Sequence, residues 1–575
     1  MPHASATTTV RLERSRETGG QSNGVDRILH RRHTNISTQA IGLGLIMNAK
    51  YLAPVRALLV VLIALAAAPA SAQPVEAVVA TLDADLSNLP ELTDQQLLDL
   101  FNQTVREQSA DFCQLSVLFS EMAGRNFAGD IDRARFETAT QCAVDRQDWP
   151  EAYRNIKQWE KLGGKETPPL EWVFRLAYLA EEYDEALDRL EVIANLDDPA
   201  QLIALSQEFV YSLARQLFND ENDDRMVRLF QMLFRSSHFE RLSGELRSSS
   251  AYWTLKQQVK TNDAGDIGKT LAEITSPYSY TALLANRSYE QIWPQIEQRA
   301  GPNMALVLGS YLQDKKREFE SAPQDKEKKQ QYGHALLFSG RFDDLVRLAA
   351  SIDHSDAGRQ NWQEDDGWLL NLEAYALDAQ GNTQAADRIF DQFAEIDHQP
   401  GKNDWLVNFV INRASRLVGQ RRWQEGLEAA QVADEYSGSP YADMLVRQAR
   451  FCALHGLGRS AEAQAVLSDI VEHQDDALEV AVEALLCAGE REQAAAMTIK
   501  GLNDVNKQAQ FVEALQKPEF EFFYAESSLP GIHEELSNHP DVARVFDPIA
   551  RLVPDEYIPL VGVKRRELAA ERRSD

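Results

Sequence analysis

A five-residue phrase near the start of the chain returns at a fixed distance. Asp148-Trp149-Pro150-Glu151-Ala152 is answered by Glu182-Tyr183-Asp184-Glu185-Ala186, and both Trp149 to Tyr183 and Ala152 to Ala186 span 34 positions. Self-similarity of this period is the mark of a two-helix unit that buries one face against its neighbour and cannot fold alone. The same phrase recurs with drift further along: Gly340-Arg341-Phe342-Asp343-Asp344-Leu345, Gly381-Asn382-Thr383-Gln384-Ala385-Ala386, Arg421-Arg422-Trp423-Gln424-Glu425-Gly426, Gly458-Arg459-Ser460-Ala461-Glu462-Ala463 and Gly489-Glu490-Arg491-Glu492-Gln493-Ala494. Its final residues lie 41, 40, 37 and 31 apart, and all but Leu345 are small.

Each part of the phrase has a physical role. A Gly or polar residue ends the first helix, where a left-handed or extended backbone is wanted. A large residue then packs into the turn, and the small residue three positions on lets two helices approach closely. Apolar residues follow at helical spacing, as in Leu187, Leu190 and Ile193, or Ile389, Phe390, Phe393 and Ile396. Gly333, Ala374 and Ala414 stand seven positions before Gly340, Gly381 and Arg421, on the first helix of each unit. With only 29 Gly and 21 Pro in 575 residues, the punctuation is too sparse for many short strands.

These residues resemble the tetratricopeptide-repeat family in a degenerate, exported bacterial form. The likeness covers Asp132–Pro199 and Lys326–Asn503 and is weak from Leu202 to Asn303. There the pairs Leu202–Phe218 with Met226–Arg235, and Tyr252–Lys260 with Ile267–Thr275, are helical but off-motif. Thr140 and Phe174 stand where the family has a small residue, and most units lack its first-helix Trp. The resemblance implies an all-α fold, an α-solenoid of stacked antiparallel helix hairpins, and a partner protein or peptide as ligand.

The ends of the chain differ from the array. Lys50 and Arg56 precede the apolar run Ala57–Ala68, and Ala70-Ser71-Ala72 follows it, the order of a signal peptide. The run is shorter than the roughly 20 residues that span a bilayer. Residues 47–72 therefore read as a signal peptide cleaved after Ala72, with Met1–Ile46 a mis-assigned, disordered leader and Met47 the true start. No Cys follows the run, so a lipid anchor is not supported. An exported protein is expected, periplasmic if the cell is Gram-negative. Residues 73–131 are expected to form a leader and helical cap, 132–517 the array with its off-motif section 202–303, and 518–575 a Pro-rich C-terminal cap ending in the basic tail Lys564–Arg573.

Formal charge is −29, and removing residues 1–72, with eight basic and three acidic residues, takes it to −34. Such a surface repels phosphate backbones, so nucleic acid is excluded as a partner and a basic protein is favoured. Motifs for chemistry fail on inspection. Gly265-Asp266-Ile267-Gly268-Lys269-Thr270 resembles a phosphate loop but has Asp263 where Gly is needed. His533 and His539 are six apart, whereas a helical zinc pair needs four. Asp220-Glu221-Asn222-Asp223-Asp224 lacks the Gly and terminal Glu of a calcium loop. No catalytic, cofactor or metal residue is assigned, and the protein is read as a non-enzyme.

Four cysteines in an oxidising compartment suggest pairing. Cys113 and Cys142 fall on successive helices and Cys452 and Cys487 on first helices of adjacent repeats, so the disulfides Cys113–Cys142 and Cys452–Cys487 are expected. The array's inner wall, made by the first helices, is expected to present His334, Asn371, Tyr375, Asp378, Asn408, Gln448 and His455 to a partner. The competing readings are a structural support in a polysaccharide or peptidoglycan machine of the envelope, a small-ligand binder using Trp253 and Trp293, and an enzyme hidden in Leu202–Asn303 or the Pro-rich end.

Overall fold

The structure is a computed structural model describing residues 86–559, apart from 107–111, 126, 128–130, 164–166, 201, 203–206, 219–223, 264, 400–401, 437 and 521–526. The signal peptide, the leader, most of the acidic run 220–224 and the basic tail lie outside the described residues. One turn geometry organises what is described. Gln147, Glu181, Asn262, Gly340, Gly381, Arg421, Gly458 and Gly489 all have φ between 52° and 85°. At each, the left-handed residue's N–H bonds the carbonyl three residues back and the next N–H bonds the carbonyl five back. Gly381 to Asp378 is 2.9 Å and Asn382 to Leu377 is 2.8 Å. This paired cap satisfies two carbonyls that the ending helix would otherwise leave open, and it aims the chain into an antiparallel second helix.

Asn262 extends the array beyond its sequence signature. It joins helix Gly244–Lys260 to Ile267–Glu273, inside the section read as off-motif, with the same two bonds to Val259 and Gln258. The described residues are all-helical, with only an isolated bridge between Asn286 and Ala550, and successive helices pair into stacked hairpins. The fold is therefore the all-α solenoid expected. Glu181 is exposed, so its side chain gains nothing to offset its left-handed backbone. Glu181→Gly is expected to raise stability by ~1 kcal/mol, and Gly381→Ala to lower it by a similar amount, in urea denaturation.

The chain divides into two compact units at Ser243/Gly244. In the first, Leu97, Phe101, Leu118, Phe119, Met122 and Ile131 form one cluster. The Cys113–Cys142 disulfide (Cα–Cα 4.7 Å) joins helices Phe112–Gly124 and Ile131–Asp145. Hairpin stacking here is charged as well as apolar. Lys157 and Arg189 bridge Glu160 and Glu185 on second helices of adjacent units, and Arg225 and Arg228 reach back to Asp184 and Asp188.

In the second unit five hairpins follow one another: Lys326–Phe338 with Phe342–Ala349, Glu364–Ala379 with Thr383–Ala394, Leu406–Gly419 with Trp423–Asp434, Pro440–Gly456 with Ser460–Glu472, and Leu478–Cys487 with Arg491–Asn503. The small residues sit where the helices touch. A Cβ on Gly333 would come within 2.6 Å of Leu369, one on Gly426 within 2.6 Å of Val418, and one on Gly456 within 2.4 Å of Trp423. Ala386, Ala463 and Ala494 are buried at the corresponding crossings. Leu345, the large exception, is also fully buried.

The C-terminal segment does more than cover the last hairpin. Ser528 bonds the Gly419 carbonyl through both its N–H and its hydroxyl, and Arg421 donates to the Ser528 carbonyl. Arg491 then holds the Glu535 carbonyl at 2.7 Å. Further on, Arg551 donates to the Leu284 carbonyl (2.8 Å) and to Glu297 (2.7 Å), and its guanidinium lies 3.6 Å from the Trp293 ring centre. Asn303 takes the Ile558 carbonyl at 2.9 Å. Residues 551–558 are thus bonded back to residues 284–303, and this segment acts as a strap within this unit as well as a cap.

Candidate partner-binding face of the first helices

Seven side chains were expected to line an inner wall, and the structure separates them into two groups. Asn371, Tyr375 and Asp378 belong to helix Glu364–Ala379, which is buried without a break from Leu369 to Ala379. Asn371 is 1% exposed and accepts a hydrogen bond from Asn412 of the next first helix at 3.1 Å. Tyr375 is buried with its ring against Phe390. Asp378 accepts two bonds from Arg416, Nε to Oδ2 at 2.5 Å and Nη2 to Oδ1 at 2.7 Å. These three do not face a groove, which corrects the expectation. Polar groups on an enclosed helix call for partners inside the protein, and Asn371 and Asp378 find theirs on the neighbouring hairpin.

Arg416 is the centre of that junction. It is 1% exposed, and besides Asp378 it meets Asp387 on the second helix at 2.6 Å. Arg422, from the following turn, meets the same Asp387 at 2.7 Å. Burial alone would push the Asp387 carboxyl up, but hydrogen bonds from Arg416 and Arg422 outweigh it and hold the carboxyl below its ordinary range. Desolvation likewise opposes the charge on Arg416, and its aspartates more than restore it.

The remaining four positions stay accessible. His455 is exposed, while His334, Asn408 and Gln448 are half-buried. His334 packs edge-on to Phe338, and His455 lies 5.8 Å from Phe451. Gln448 donates to Glu483 of the next first helix at 2.6 Å. The expected disulfide Cys452–Cys487 is not formed: both are free thiols, Cys452 buried and Cys487 half-buried. The other expected pair, Cys113–Cys142, is bonded.

Sequence reasoning missed Glu373, on the same enclosed helix. It is 8% exposed, its Oε2 has no hydrogen-bond partner, and burial raises its carboxyl pKa to about 7. Its neighbours Leu372 and Ala374 are apolar, and a lone Glu amid such residues was the available signal.

The discounted motifs have structural roles. Asp263 accepts from the Gly265 N–H and Asp266 caps helix Ile267–Glu273 through the Lys269 N–H, so the Gly-rich stretch is a hairpin turn. His533 bonds the Leu515 carbonyl whereas His539 faces Glu492, so the two imidazoles serve different contacts. Trp253 and Trp293 are buried, Trp293 donating to the Leu283 carbonyl, and neither offers a ring face as an open platform. A hollow of about 470 Å³ lies beside Gly340–Asp344, Arg347 and Gln380. Its polar side chains already have partners, since Arg341 and Arg347 pair with Asp344 and Gln380 donates to Asp343.

No protein-family model matches the chain, and no curated protein matches it. No helix among the described residues is long and apolar enough to cross a membrane.

Proposed function

We propose that this is an exported, non-catalytic scaffold of tetratricopeptide type that binds a partner protein or peptide along the first helices of its array. The observation that carries the reading is the recurrence of one left-handed hairpin cap at eight turns, with small residues at the crossings. Stacked hairpins of this kind set successive first helices side by side, the arrangement that presents an extended wall of side chains. The accessible positions His334, Asn408, Gln448 and His455 are the partner contacts; Asn371, Tyr375 and Asp378 hold the wall together from within. The acidic balance selects a basic partner. Export, to the periplasm where the cell is Gram-negative, rests on the signal peptide read at residues 47–72.

Affinity purification of the processed chain from the exported fraction, without cross-linking, tests this. One partner should be recovered at 0.05 M salt and reduced at 0.5 M, as attraction between exposed charges is screened. Recovery of the chain alone under both conditions would reject it.

A further inference from the structure

Helices Pro440–Gly456 and Leu478–Cys487 are the first helices of the last two hairpins and pack against each other. Their register is fixed by Gln448, whose amide donates to Glu483. One helical turn further along both, at four residues beyond each partner, stand Cys452 and Cys487. That register sets the two thiols across the interface from each other, near enough for each to influence the other. Their surroundings differ: Cys452 is 1% exposed and sealed in the core, whereas Cys487, at the end of its helix, reaches solvent.

That asymmetry assigns different roles. Burial first, then the Cys487 thiol and the Glu483 carboxylate, push the Cys452 thiol well above its ordinary range, so it waits as a protonated thiol. Cys487 is the sulfur an incoming reagent can meet. Cys113–Cys142 differs in kind, because it joins successive helices and is already closed.

We propose that Cys452 and Cys487 are a redox-active dithiol that takes a small-molecule disulfide, with Cys487 receiving it and Cys452 resolving it into a reversible cross-link between neighbouring first helices. The Cys487 thiolate attacks one sulfur of the oxidant RSSR, the RS–SR bond breaks, and the first RS⁻ leaves and is protonated to RSH. The Cys452 sulfur then loses its proton to water and attacks the Cys487 sulfur of the mixed disulfide, expelling the second RS⁻. Two protein thiols are oxidised to one disulfide, RSSR is reduced to two RSH, and no further oxidant is required. The product ties the hairpin Pro440–Glu472 to the one that carries Arg491, the residue holding the strap at Glu535.

The test uses the full purified chain with excess oxidised glutathione at pH 8, followed by alkylation and peptide mapping without reduction. The expected product is a peptide pair joined through Cys452 and Cys487, with the unfolding temperature raised and both changes reversed by dithiothreitol. In Cys452→Ala the resolving sulfur is gone, so Cys487 should accumulate as a stable glutathione adduct. In Cys487→Ala, Cys452 should stay unmodified. Wild-type chain in which both thiols remain alkylatable after oxidation would overturn the proposal, as would a glutathione adduct on wild-type Cys487 that never resolves. The wild-type map stands by itself should either variant fail to fold, and it is independent of whether the scaffold finds its partner.

Discussion

Arg416→Ala is expected to destabilise the chain by ~3–5 kcal/mol, the range for removing one partner of a buried ion pair. The guanidinium is 1% exposed and, from the helix Leu406–Gly419, meets both Asp378 and Asp387. Alanine would remove both Arg416 bonds to the buried Asp378 carboxylate, while Asp387 would keep its contact with Arg422. The apolar pair Arg416→Met with Asp378→Leu should lose much less than the single change, because it removes both charges together. Urea denaturation of the two variants beside the unsubstituted chain measures this. A single-variant loss below ~1 kcal/mol would mean that the junction between these two hairpins does not depend on the cluster.

The second large effect is a pH dependence centred on Glu373. Its carboxyl has a pKa of about 7 in the folded chain because burial penalises the charged form, against an ordinary Glu value near ~4.3 when unfolded. Between those values the folded state keeps a proton that the unfolded state has lost. The contribution to stability is therefore fully present below the unfolded pKa and is lost as pH rises through the folded one. At about 1.4 kcal/mol per pH unit the whole loss is ~4 kcal/mol, of which ~2.5 kcal/mol falls between pH 5 and pH 8. Glu373→Gln cannot titrate, so its stability should fall less than wild type between pH 5 and pH 8 by about that amount. Parallel pH profiles for the two chains would contradict the assignment.

Much of the fold was legible because the turn phrase is local. A left-handed residue after a helix favours Gly, and Gly340, Gly381, Gly458 and Gly489 all occupy that conformation. Gln147, Glu181 and Arg421 were recognisable only through the residues around them, since a polar residue there adopts the same backbone at a cost. Asn262 escaped because its turn is followed by Asp263-Ala264-Gly265 and no small-residue phrase. The wall was harder. A polar residue on a first helix has the same spacing whether it meets water or the next helix, and Asn371 and Asp378 have partners 41 and 38 positions away. Pairing of that range leaves no periodic trace. The strap was invisible for the same reason, as Arg551 reaches Leu284 across 267 positions from a segment without helical period.

The wall itself can be probed one position at a time. A photo-reactive residue introduced in place of His455, Asn408 or Gln448, and at the exposed second-helix positions Glu428 and Gln464 as controls, is irradiated in intact cells producing the processed chain. The scaffold account predicts one shared adduct from the first-helix positions and none from the controls. Adducts from the second-helix positions alone, or from no position, would contradict it.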